Sequence, residues 1–339
     1  MKTFTDTVKL FFVLSGAVMG AGFLSGGELA VFFESRTILC VCISGAVFFA
    51  GFAFTEVKKD GFTEFVFAAA DGVFACAMLT GLDEIAYYAG LKQGVPVASV
   101  LSLALFHFFL SVSIKKVEKA NAVLIPLSVI AVGAAAICAK PLAVQSASSG
   151  AKNIINAVLY SCMNLFVALP SVGIAAKDKG RKAKPYAALA FTCVFIALAC
   201  IILRVAPATA FPILDITRGT PFFPVLVCAV FIGSFTSLIC YLYPLKNMIA
   251  EKTADKKRRG AYCFLLYFAL FLLSRAGFNV IVKYLYPVIG ALGLFSIVKS
   301  FFGIKKRGKG DTILKRSALC QERKRIKSKN LPKKNTAII

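Results

Sequence analysis

Ten stretches of this chain are long and apolar enough to cross a lipid bilayer: residues 9–33, 37–57, 62–91, 94–114, 119–139, 153–176, 185–205, 220–248, 260–275 and 277–302. A spanning helix needs about 20 mostly apolar residues. Inside hydrocarbon every backbone polar group must be satisfied within the protein, so such runs fold as helices. Composition agrees. Hydrophobic residues make up 58% of the 339 and charged residues 17%, with a mean hydropathy of +0.78; soluble domains average ~45–50% apolar and ~25% charged. A soluble enzyme, a disulfide scaffold and a mostly disordered chain are excluded. The expected class is an all-α polytopic membrane protein.

The net charge of +24 acquires meaning from where it sits. With the N-terminus inside, 32 of the 40 Lys and Arg fall in the N-terminus, the loops following helices 2, 4, 6 and 8, and the C-terminal tail. Positive residues accumulate on the cytoplasmic side, so this distribution predicts both termini in the cytoplasm. A nine-helix count would put the basic tail outside. The first run is long and ends in Gly-Gly-Glu, unlike a cleaved signal peptide. Residues 303–339 hold 13 basic and 2 acidic residues and read as a disordered tail suited to anionic lipid headgroups rather than to nucleic acid.

Cysteines and the one histidine add no chemistry. The 11 Cys lie mostly in apolar runs without a C-x-x-C pair, and His107 sits in an apolar helix. Neither a metal cluster nor a disulfide framework is expected. No zinc-protease motif or Ser/His/Asp set is present, so an enzyme is not expected.

Ten helices divide as five and five, and an odd number per half inverts one half against the other. Residues 1–140 form the expected first repeat, 141–152 an external connection, 153–302 the second repeat and 303–339 the tail. Inverted repeats characterise secondary transporters, which carry helix breaks at corresponding places. Helices 1 and 6 are the expected discontinuous pair. Helix 1 contains GAVMGAGFLSGGELAVFF from Gly16; helix 6 contains LYSCMNLFVALPSVG from Leu159, with Asn164 and Pro170. The glycine spacing equally suits close helix packing, and Pro170 a simple kink. A break frees N–H groups for a carboxylate and carbonyls for a cation. Gly20, Ala21, Gly22, Ser25, Glu28, Ser161 and Asn164 are the expected substrate-binding residues. Intramembrane acids are costly, which singles out Glu28 as a cation-binding, proton-carrying or structural group. Asp71, among small residues, reads as a structural hydrogen-bonding group. Tyr87 and Tyr88 read as interfacial aromatics, and residues 206–219 as a long external loop.

The helix 1 run resembles the first helix of YkvI-type bacterial membrane proteins, whose signature reads approximately GAGFASGQE. That resemblance implies a branch of the amino acid–polyamine–organocation superfamily, a LeuT-like fold and a bacterial plasma membrane. Leu24 and Gly27 depart from the signature, the latter replacing a Gln. The wider fold implies a sodium site between helices 1 and 8. FIGSFTSLICY in helix 8 places Thr236 and Ser237 there, with carbonyls of Gly16 and Met19 opposite. Serine and threonine also bond their own helix carbonyls, so the pair fits either role. The resemblance implies a secondary transporter of a small amino-acid-like solute, with Na⁺ or H⁺ as coupling ion and no other cofactor. The alternative is a non-transporting receptor or scaffold on the same fold.

Overall fold

A computed structural model describes residues 2–34, 37–54, 61–92, 95–108, 114–140, 150–176, 182–205, 207 and 209–299. The expected tail, 303–339, and most of the 141–152 connection lie outside the described residues. Met1–Ile297 forms one compact unit; the only described residues of the second, Val298–Ile339, end the last helix.

Every described regular element is helical. The first apolar run gives three: α1 (Lys2–Val18), α2 (Ala21–Leu24) and α3 (Gly27–Phe32). Then follow α4 (Ile38–Phe54), α5 (Gly61–Tyr88), α6 (Val97–Phe108), α7 (Ile114–Cys138), α8 (Ala151–Ala176) and α9 (Ala183–Leu203). The short α10 (Pro212–Thr217) precedes α11 (Phe223–Lys252) and α12 (Lys256–Ser274). The final span, Phe278–Lys299, contains a π-helical turn at Ile281–Leu285.

Six of these helices are long and apolar enough to cross a membrane; α4 and α6 are apolar but shorter. They differ in what they face. Two thirds of the apolar window of α5, α8 and α11 is buried, against 28% for α7. Val123, Leu127 and Ile130 of α7 and Phe264, Leu265, Phe268 and Leu272 of α12 are exposed. Apolar side chains so extensively exposed suit lipid rather than water. The chain is a multi-pass membrane protein.

α1 packs among α7, α8, α9 and α11, and α5 runs along α11. The α4 helix lies against α8 and α9. Phe48, Phe52, Phe191 and Phe195 form an aromatic seam there, with ring centroids 4.8 Å apart for Phe48 and Phe195. Polar joints pin the same helices. Ser44 Oγ of α4 donates to the Ala157 carbonyl of α8 (2.8 Å), and Ser128 Oγ of α7 donates to the Ala229 carbonyl of α11 (2.9 Å).

The expected discontinuity of helix 6 is corrected. α8 runs unbroken through Asn164 and Pro170. Residues 151–172 contain no glycine, and Cys162, Met163, Leu165, Phe166, Val167 and Ala168 are all buried. Unwinding there would strip backbone groups of partners inside an apolar layer, a cost of several kcal/mol each, on the order of ~2–7. Pro170 withholds only one intrahelical donor. Just past it, Ser171 Oγ donates to the Cys240 carbonyl and ties α8 to α11.

Candidate functional site

The α1–α3 segment supplies the free backbone. α1 stops at Val18, although Met19 N still donates to the Ser15 carbonyl (2.7 Å). Gly20 N then turns to the Val18 carbonyl (3.0 Å), and α2 lasts only four residues. A second interruption follows at Ser25–Gly26. Gly26 has φ 84°, a left-handed conformation that glycine adopts without steric cost. Ser25 Oγ lies 3.4 Å from the Gly22 carbonyl and accepts from Gly27 N at 3.3 Å, so its side chain braces the turn. Ala21 opens α2, and its side chain lies outside the described residues.

On one side of the first interruption α11 brings the Ser237 hydroxyl to a freed carbonyl, while Thr236 bonds within its own helix. Ser237 Oγ donates to the Gly16 carbonyl (2.6 Å) and Thr236 Oγ1 to the Gly233 carbonyl (2.9 Å). The Met19 carbonyl lies against Gly233: a Cβ built there would stand 3.2 Å from it. Tyr241 OH donates to the Ala17 carbonyl, and Gly20 faces both Ser237 and Met78. Thus the Gly16 carbonyl and the Ser237 hydroxyl meet, the Met19 carbonyl and Thr236 both lie beside Gly233, and all four residues are buried. Hard oxygen donors without thiolate or imidazole suit an alkali cation. Among the described residues no group of three or more His, Cys, Asp or Glu could hold a metal.

On the other side lies Glu28, in the first turn of α3 and 3% exposed. Its carboxyl fills the space left by Gly22: a Cβ at that position would collide with it. The hydroxyls of Tyr160 from α8 and Tyr286 from the final span adjoin the carboxyl. Glu28 Oε2 and both hydroxyls have no hydrogen-bond partner of good geometry. Aromatic rings wall the spot. Phe33 and Phe32 pack on Tyr160 at 5.3 and 5.4 Å, and Phe74 stacks on Tyr286 at 4.3 Å.

α10 and the residues before it cover this side. Ile213 N donates to the Ser25 carbonyl (2.9 Å), and the Ala210 carbonyl sits against Gly27. Tyr88 OH donates to Asp215 Oδ1 (2.7 Å), and Phe211, fully buried, packs on Phe278. Tyr88, expected as an interfacial aromatic, is therefore a fastening for this cover; Tyr87 is 43% exposed.

Two expected residues of helix 6 are occupied elsewhere. Ser161 Oγ lies 3.0 Å from the Ala157 carbonyl and 3.2 Å from that of Ser44, within the α4–α8 seam. Asn164 Nδ2 donates to the Tyr160 carbonyl one turn back (3.1 Å). Asp71 is buried, yet its Oδ1 has no partner, so the structural hydrogen bond expected of it is not made at that oxygen. Asp83 is a joint: it accepts from Ser99 N (2.9 Å) and Arg275 Nη1 (3.2 Å), linking α5, α6 and the end of α12.

Sequence reasoning missed Tyr160, Tyr286, Tyr241 and Gly233. Tyr160 stands in the quoted YSCMN stretch, and Tyr241 ends FIGSFTSLICY. Tyr286 has no local signal: it follows the π-helical turn, which shifts the helix face by a residue.

No family model matches the sequence, and no curated protein matches it. Solved structures do match in shape. The structure of MhsT in complex with L-phenylalanine superposes with a TM-score of 0.61 at 14% identity, over 86% of this chain and 88% of that one. Mhp1, a nucleobase-cation-symport-1 family transporter captured closed with bromovinylhydantoin bound, gives 0.54 at 12% identity, over 89% of this chain and 78% of its own. The chain therefore has the LeuT-type fold of these structures.

Proposed function

We propose that the chain is a secondary transporter that moves a small amino-acid-like solute by alternating access, coupled to Na⁺. One observation carries this reading: the doubly interrupted first helix, whose Gly16 carbonyl meets the Ser237 hydroxyl deep inside an apolar bundle. Backbone left without helical partners is tolerated at membrane depth only where protein or a cavity receives it. The solute carboxylate is assigned to the N–H groups around Gly20, Ala21 and Gly22, with Ser25 and Glu28 completing the site. Gly16, Met19, Thr236 and Ser237 are assigned to Na⁺. Ser161 and Asn164 are left out, because the Ser161 side chain joins α8 to α4 and that of Asn164 bonds the Tyr160 carbonyl of its own helix.

The ten apolar runs are assigned as ten spans, in inverted halves at 1–140 and 153–302. The charge distribution supports cytoplasmic termini, and the helix 1 resemblance supports a bacterial plasma membrane. The basic tail at 303–339 is assigned to anionic lipid headgroups. A reporter fused after Ile339 is expected to report cytoplasm; a signal from the opposite side overturns the ten-span assignment.

The direct test is uptake by proteoliposomes offered radiolabelled amino acids, with an inward Na⁺ or K⁺ gradient. Accumulation in Na⁺ alone supports the proposal. A solute that stabilises the purified protein against heat, as any ligand of the folded state does, yet never accumulates supports the receptor reading instead.

A further inference from the structure

The sodium locus leaves Glu28 unexplained. Burying a charged carboxylate without a partner is costly, and such a group is normally paired or neutralised. No Lys, Arg or His among the described residues forms an ion pair with it; Lys152 pairs with Glu34, and Arg275 with Asp83. On the Oε1 side the carboxyl is pressed against the Gly22 backbone, which leaves no space there for a bulky cation. A proton needs no room.

We propose that Glu28, with the hydroxyls of Tyr160 and Tyr286, is a proton-binding site, and that its proton moves with the solute. This rests on the transport reading above and adds a second coupling ion to it. The chemistry is a simple exchange of one proton between water and the Glu28 carboxylate. Two phenol hydroxyls suit both states. Each rotates to donate to a carboxylate, or to accept from a carboxyl O–H. Both are buried and have no other partner of good geometry.

The surroundings tie this exchange to movement. The carboxyl touches Gly22, inside the doubly interrupted segment, and the cover above it hangs on the Ser25 carbonyl through Ile213 N. When the cover lifts, water reaches Glu28 and the charged form is solvated. When it closes, the dry site favours the neutral form. Closure with the proton bound is therefore easier than closure without it. The groups that face Glu28 are all phenols: Tyr160 from α8, Tyr286 from the final span, and Tyr241 from α11, with Asp71 of α5 acting on Tyr241 from beyond. α2 carries no titratable side chain, and α9 presents Phe195 against Tyr160.

The test uses the full chain in liposomes holding a pH-sensitive dye, offered a mixture of the twenty radiolabelled amino acids. Uptake is expected to acidify the lumen and to fall as external pH rises, by up to ~tenfold per pH unit for one linked proton. Glu28→Gln is expected to lose both the acidification and the pH dependence. Tyr286→Phe removes one donor from the carboxylate, so the neutral form persists further and the pH midpoint of uptake moves upward. Uptake by the wild type without acidification overturns the proposal, as does acidification that survives Glu28→Gln or is lost only in Asp71→Asn. If none of the amino acids is taken up, infrared difference spectra of the purified proteins still decide the proton site. A protonated-carboxyl band present in the wild type and missing from folded Glu28→Gln supports it; identical spectra overturn it.

Discussion

The first helix and α8 occupy corresponding places in the two expected halves, yet one is interrupted twice and the other not at all. The difference lies in which residue does the loosening. Around Gly20–Gly27 four of eight residues are glycine, Gly26 takes a left-handed conformation, and polar groups from α10 and α11 receive the freed backbone. Around Pro170 the side chains of Phe166, Val167, Leu169 and Val172 are buried, and one missing N–H does not unwind the helix. Pro170 weakens the helix without opening it.

Substitutions break or sharpen this contrast, in decreasing order of expected effect. Gly22→Val would drive a branched side chain into the Glu28 carboxyl. Such overpacking costs about 3 kcal/mol. Thermal unfolding of the purified protein should show the loss, and wild-type stability would mean that the interruption repacks freely. Ser237→Ala leaves the buried Gly16 carbonyl without its hydroxyl donor. A cost of about 2 kcal/mol is expected, together with at least a tenfold weaker Na⁺ dependence of uptake, or ~1.4 kcal/mol; an unchanged Na⁺ titration would remove the α11 hydroxyls from the cation site. Gly26→Ala forces an L-residue into left-handed backbone at about 1 kcal/mol, read as a lower unfolding midpoint. Pro170→Ala is the smallest. It returns one donor toward the Phe166 carbonyl and should raise stability by less than about 1 kcal/mol, with uptake retained. A large loss of uptake would show that α8 does open during the cycle.

The all-helical, multi-pass character was legible from the chain because span length is set by the bilayer, a solvent of fixed thickness. The interruption of helix 1 was legible as one of two readings of its glycine run, the other being close helix packing. Thr236 and Ser237 stood out as adjacent hydroxyls in an apolar helix. Side-chain direction was not legible. Tyr160 and Ser161 are neighbours about 100° apart on one helix, and only packing shows that the tyrosine faces Glu28 while the serine faces α4. Tyr286 was hidden twice, as a tyrosine in an apolar run and by the π-helical turn before it.

The four-residue α2 is short enough to act as a link rather than a rod. Under the transport proposal, a pivot at each end, near Gly20 and near Gly26, lets the long arm α1 and the short arm α3 tilt separately. A rigid lever would have to open one face of the membrane whenever it closed the other. A two-jointed linkage permits a moment when both faces are shut, and that moment is what keeps a carrier from becoming a leak.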